Sequence, residues 1–146
     1  MRLPTSNVTI VLSAEQQAFV RGPYIAVLAT VDASGEPRAV PMWYVFDGSR
    51  FLMVTRKGSQ KHRDLEQHPT ATVVIDHRTR PYYALMIRCT AEIDAEDVDL
   101  VRSRTVARYL TEPELSAYVD SRRGSDSVVI RLEPVSIAVY GDTPPT

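Results

Sequence analysis

Thr55-Arg56-Lys57-Gly58-Ser59-Gln60-Lys61 brings cationic side chains, hydroxyls and a glycine into one short stretch. Phe51 to Thr55 ahead of it is apolar enough for a strand. Ser59 is a good N-cap for a following helix, which Pro69 stops because a proline disfavours helical backbone at His68. The turn therefore falls where a strand hands over to a helix N-terminus, which presents unpaired N–H groups and the positive end of a dipole. With Arg56, Lys57 and Lys61 around it, that arrangement suits a phosphate. The same residues also fit an ordinary solvated turn that carries positive charge. The spacing is not the Gly-x-x-x-x-Gly-Lys-Ser/Thr of a P-loop, so nucleoside triphosphate hydrolysis is not indicated.

Other residue types offer less chemistry. His62, His68 and His77 show no metal-ligand spacing with acids or cysteines, and they read as solvated or capping residues with no metal site. Cys89 has no partner for an intramolecular disulfide and lies in an apolar run, the setting of a buried, inert thiol. No Gly-x-Ser-x-Gly elbow is present. Pro41-Met42-Trp43-Tyr44 puts large side chains on alternate faces of a strand, which fits either a dimer interface or the wall of a pocket for a flat aromatic ligand.

These residues must be positioned by a mostly β chain. With 146 residues, 44% hydrophobic and 24% charged, the sequence fits one globular domain over 1–146. A net charge of −1 argues against a nucleic-acid binder. Asn7 to Leu12 is too short for a signal core or a membrane span, so a cytoplasmic protein is expected, and the Asn7-Val8-Thr9 sequon carries no weight.

A capping box at Ser13 and Gln16 opens a short helix ending near Arg21-Gly22-Pro23. Strands follow at Tyr24 to Val31, Arg38 to Phe46 and Arg50 to Thr55, read as an antiparallel meander with Asp47-Gly48 as a hairpin turn. Beyond the basic turn and its helix come strands at Thr70 to Asp76 and Tyr82 to Ile93, the second long enough to bend or bulge. Helical spacing covers Ala95 to Leu110 and Glu112 to Ser121, and a last strand, Ser127 to Tyr140, is interrupted at Pro134. The expectation is a six-stranded antiparallel barrel, closed or partly closed, with peripheral helices.

This layout resembles the pyridoxamine-phosphate-oxidase-like split-barrel superfamily, whose members bind FMN or the deazaflavin F420. The resemblance is carried by Ala26-Val27-Leu28-Ala29-Thr30 with Gly35-Glu36-Pro37, by Val40-Pro41-Met42-Trp43-Tyr44, and by Val54-Thr55-Arg56-Lys57-Gly58-Ser59-Gln60-Lys61 with His68-Pro69. It implies that Val54, Thr55, Ser59, Gln60 and Lys61 hold the cofactor phosphate and part of the ring, and that Val40, Pro41 and Met42 line the ring edge. It also implies a homodimer with cofactors in clefts between subunits, where Trp43 and Tyr83 would meet substrate.

The chain ends Ala138-Val139-Tyr140-Gly141-Asp142, without the basic C-terminal motif of true pyridoxamine phosphate oxidases. It looks more like the small F420-dependent reductases, for which F420 is the expected cofactor and FMN the alternative. A hydride would then pass to a small unsaturated or conjugated molecule. Arg56, Lys57, Arg78 and Arg80 could meet the acidic tail of F420. No side chain stands out as a required acid or base, though Tyr44 and Tyr83 are phenols that could donate a proton. A barrel that stores a flavin, haem or other planar ligand without turnover is the alternative from outside enzymology.

Overall fold

The computed structural model describes residues 9–145. Asn7 and Val8 of the sequon, and Thr146, lie outside them. In chain order the elements are α1 (Ala14–Val20), β1 (Ala26–Val31), β2 (Pro37–Met42), β3 (Val45–Phe46), β4 (Phe51–Arg56), α2 (Gln60–Gln67), β5 (Thr70–His77), β6 (Tyr83–Asp94), α3 (Val98–Val106), α4 (Glu114–Arg122) and β7 (Ser127–Tyr140). The strands form one antiparallel sheet in the order β2-β1-β5-β6-β7-β4-β3.

The fold is mainly β with four helices, and it has seven strands where six were expected. The extra strand arises because the stretch Arg38 to Phe46 breaks at Trp43-Tyr44. β2 pairs with β1 as far as Ala26↔Met42, whereas Val45 and Phe46 pair with Leu52 and Phe51 of β4. The expected meander is therefore interrupted, and the chain leaves one edge of the sheet to re-enter at the other. At the break, Tyr44 turns fully inward and its hydroxyl donates to Val20 O at 2.6 Å.

This break dictates the curvature. Met42 and Val45 are separated by two residues, so their Cα atoms lie at most about 10 Å apart. Laid flat, a sheet of this many strands would hold its edges about 29 Å apart. The sheet must curl until its two edges nearly meet, which makes it a split barrel.

Alternation along β1, β5 and β6 sends Leu28, Val73, Ile75, Leu85 and Ile87 into the barrel, all fully buried. β4 is buried on both faces: Phe51 and Met53 join that core, while Leu52 and Val54 pack with Val98, Val101 and Val129 beneath α3. Thus α3 covers the outside of β4 and β7. β7 is not interrupted at Pro134. The register shifts between Arg88 and Cys89 of β6, and a proline, which has no N–H, is accommodated at such a bulge.

The last two helices are shorter than their spacing suggested. The β6–β7 ladder runs on to Asp94↔Val129, Arg131 Nε donates to Asp94 Oδ2 at 2.9 Å, and Asp97 adopts a left-handed φ of 57° before α3 begins. Among the described residues no helix is long and apolar enough to cross a membrane.

Cys89 is 1% exposed, and burial pushes its thiol up to about 12. Because the thiolate is the reactive form, we expect no labelling by a maleimide or disulfide reagent at pH 8 in the native protein and full labelling in denaturant. Rapid native labelling would contradict this burial.

Candidate functional site

A cleft of about 570 Å³ opens between the outer face of the barrel and the helices α3 and α4. Its floor is the end of β4 with the start of α2: Val54, Thr55, Arg56 and Lys61. One wall is Pro41, Met42 and Trp43 at the β2–β3 break. The opposite wall is Arg102, Thr105 and Val106 of α3, with Tyr118 and Arg122 of α4 and the turn Ser125 to Ser127. The volume is typical of a small-molecule or cofactor pocket.

The basic turn has defined geometry. Ser59 caps α2, its Oγ accepting from His62 N–H at 3.4 Å, and it lies 3.0 Å from Thr55 Oγ1. Lys61 Nζ donates to the same Thr55 oxygen at 3.3 Å. An ammonium and two hydroxyls thus converge at a helix start, while the N–H groups of Gln60 and Lys61 donate to nothing among the described residues. That donor set matches a phosphate.

The aromatic wall is equally ordered. The Trp43 ring stacks on Tyr109 at 4.9 Å with planes 10° apart, and Tyr118 leans on it at 5.5 Å. The Arg122 guanidinium sits 3.7 Å over the Tyr118 ring. Behind them, Tyr109 Oη donates to Tyr24 O at 2.7 Å, and burial raises its pKa.

The sequence-derived site residues divide. Pro41, Met42, Val54, Thr55, Arg56 and Lys61 line one cleft together with Trp43. Val40 packs inward against the core instead. Ser59 supports the floor through Thr55, and Lys57 is exposed, with its N–H donating to Asp126 O at 3.0 Å. The Gln60 amide is engaged away from the cleft: Nε2 donates to the buried carboxylate of Asp64 at 2.7 Å and Oε1 accepts from Arg63 at 2.6 Å. Arg78 and Arg80 sit on the exposed β5–β6 turn, where Arg78 pairs with Asp76 at 2.9 Å. Tyr83 lies in the core, 4% exposed, edge-on to Phe19 at 4.8 Å. Neither Tyr83 nor the fully buried Tyr44 lines the cleft, and burial raises the pKa of both.

The histidines depart from the solvated reading in two cases, one of them His77, which is half-buried with its Nδ1 enclosed and without a partner among the described residues. His62 is 7% exposed and bonded through both ring nitrogens, to Gly58 N–H at 2.9 Å and to Glu66 Oε1 at 2.8 Å. Sequence reasoning also passed over Arg102, which is 5% exposed and donates to Asp99, Ser125 and Ser127 at 2.9–3.2 Å. The one signal for it was a charge at the apolar spacing of α3, beside Val98, Val101 and Val106. For Tyr118 and Arg122 the signal was their separation of one helical turn on α4.

A family model described as pyridoxamine 5′-phosphate oxidase matches residues 12–140. The chain belongs to the pyridoxamine 5′-phosphate oxidase family. The curated proteins contain no match to it. Solved structures similar to this family member include a conserved hypothetical protein from Mycobacterium tuberculosis at 23% identity, covering 95% of this chain and 90% of that one with a TM-score of 0.75. Another is an F420 reductase at 24% identity, covering 88% and 98% with a TM-score of 0.70. A third is HutZ, the heme storage protein from Vibrio cholerae, at 19% identity, covering 90% and 95% with a TM-score of 0.68. At these identities the likeness is one of fold.

Within this pyridoxamine 5′-phosphate oxidase family member, the cleft fits a planar cofactor that carries a phosphate. Lys61, Thr55 and Ser59 would hold the phosphate, Pro41, Met42 and Val54 the ring, and Trp43 and Tyr118 would screen the ring from water.

Proposed function

We propose that this protein is an F420-dependent oxidoreductase that delivers a hydride to a small unsaturated or conjugated molecule. The observation that carries this reading is the convergence of the Lys61–Thr55–Ser59 turn and the Trp43–Tyr118 wall on one cleft. A deazaflavin bound there supplies hydride transfer, and the chain's own residues supply grip, orientation and exclusion of water. The likeness to an F420 reductase supports F420 over FMN, and Arg102 and Arg122 extend the cationic lining beyond the phosphate turn. Trp43 is the residue proposed to meet the substrate. Tyr83 could do so only if its buried ring were released from Phe19.

The test is a paired titration of ligand-free protein with F420 and FMN, read through Trp43, the sole tryptophan. Saturable quenching by F420 with weak or no response to FMN is the expected result. The reverse preference would move the protein to flavin chemistry, and no response to either would remove the cofactor reading.

A second reading, a planar-ligand store without turnover, is favoured by the likeness to HutZ. A haem would need an axial ligand, for which the lining of this cleft offers Met42 and Tyr118 but no histidine or cysteine. Binding of haem with a low-spin spectrum, in place of F420, would establish that reading.

We further propose that the protein acts in the cytoplasm as a homodimer. Tyr82, Val139 and Tyr140 are 49–62% exposed near the end of the β6–β7 ladder, an apolar set that a second copy could cover. Sedimentation at micromolar concentration should return twice the 16.4 kDa chain mass, and a monomer would rule the dimer out.

A further inference from the structure

Gly58 stands at the centre of the turn with φ +77°, and a Cβ built there would meet nothing within 4 Å. The glycine serves backbone conformation, and something else must keep so free a residue in one orientation. Both of its polar groups are tied to side chains of α2. Its N–H donates to His62 Nδ1 at 2.9 Å, and its carbonyl accepts from the Arg63 guanidinium at 2.8 Å.

The imidazole is itself held. Nδ1 accepts a hydrogen bond and so carries no proton in this arrangement, which leaves the ring hydrogen on Nε2, 2.8 Å from Glu66 Oε1. Glu66 is one helical turn further along α2 and 59% exposed, whereas His62 is 7% exposed. An outer carboxylate thus fixes the tautomer of an inner histidine, as the outer partners of metal-bound histidines do.

We infer that His62 is a positioning residue for the cofactor's phosphate, acting by drawing the Gly58 N–H away from the cleft and into α2. This inference rests on the reading of the turn as the phosphate site. With Gly58 turned inward, the phosphate meets the free N–H groups of Gln60 and Lys61, the Thr55 and Ser59 hydroxyls and the Lys61 ammonium. A Gly58 peptide released from His62 would be free to reorient next to Ser59, and the turn would have to be re-ordered each time a phosphate bound.

Two near-isosteric variants separate this role from simple filling of space. In His62→Asn the amide oxygen stands where Nδ1 stands, two bonds from Cβ, so the Gly58 bond persists while the Glu66 contact is lost. In His62→Gln the longer side chain keeps a donor near Glu66 but leaves the Gly58 N–H without its acceptor. Two readouts apply: dissociation constants for F420 and FMN, and hydrogen exchange of the Gly58 amide in ligand-free protein.

The expected result is slow Gly58 exchange in wild type and His62→Asn and fast exchange in His62→Gln. Affinity in His62→Gln should fall roughly tenfold, the scale of one lost hydrogen bond, while His62→Asn stays within about threefold of wild type. Equal exchange and equal affinity in the two variants would overturn the inference, as would a His62→Asn that loses as much as His62→Gln. If wild type bound neither cofactor, the reading of the site would fail and this role with it. Slow Gly58 exchange in that protein would tell this failure apart from an error about His62.

Discussion

Lys61→Ala is expected to weaken cofactor binding by about 1.5–3 kcal/mol, the worth of a hydrogen bond to a charged group, or roughly ten- to 150-fold in dissociation constant. Lys61 is the ammonium that the fold directs at Thr55 Oγ1, at 3.3 Å, on the floor of the cleft. Lys57 is the internal control: it belongs to the same turn but is exposed and does not line the cleft. Lys57→Ala should therefore change affinity by less than about 0.5 kcal/mol, as expected for a screened surface charge. Isothermal titration of both variants decides the matter. Equal losses would mean that general positive potential attracts the cofactor, and no loss in Lys61→Ala would remove the turn from the site.

Arg108→Ala should strongly destabilise the fold, costing about 3 kcal/mol. The Arg108 guanidinium donates to the carbonyls of Tyr44, Val20 at 3.2 Å and Gly22 at 2.5 Å, and to Tyr109 Oη at 2.9 Å. It also lies 4.4 Å over the Tyr44 ring. One side chain thus fastens the end of α3 to the α1–β1 loop and to the break between β2 and β3. Its removal strips the charged donor from three carbonyls, which keep only neutral partners in Tyr44 Oη, the Tyr24 N–H and Tyr109 Oη, and a hydrogen bond to a charged group is worth about 1.5–3 kcal/mol. For a chain of this length the loss should lower the unfolding midpoint by about 6–12 °C. Arg108→Lys should recover only part, since a single ammonium cannot span the fork. A midpoint within 2 °C of wild type would show that the clasp is dispensable.

Local chemistry made some elements readable in advance. Ser13 and Gln16 form the reciprocal cap that their spacing implied, at 2.9 and 3.1 Å. Asp47-Gly48 makes the hairpin, with Asp47 Oδ1 accepting from the N–H groups of Ser49 and Arg50 and Gly48 at φ +102°. Ser59 caps α2 as its position before Gln60 suggested.

What escaped was non-local. No proline or glycine marks the break at Trp43-Tyr44, so the apolar run read as one strand. Tyr44 leaves the strand because Val20 O and the Arg108 fork receive it, and both lie far away in sequence. Arg102 drew no notice and His62 read as solvated or capping because charged and imidazole side chains usually face solvent. Their burial depends on β7 and on the Gly58 turn. Half of the cleft comes from α3, α4 and the turn after them, which carry no motif that the phosphate turn would require.

The sheet order has a consequence for the chain as it is made. β4, the strand that delivers the basic turn, has β3 and β7 as its neighbours, and it pairs with β7 from Phe51↔Leu132 to Arg56↔Ser127. β1, β2, β5 and β6 can hydrogen-bond to one another before β7 emerges, but β4 must wait, with only the two residues of β3 beside it. Closing a loop of roughly half the chain's length is slow and comes late. During synthesis the basic turn is thus carried by a strand that lacks its long hydrogen-bonding partner until the residues from Ser127 onward have emerged. If the turn holds the cofactor as proposed, a nascent chain arrested before Ser127 should bind none.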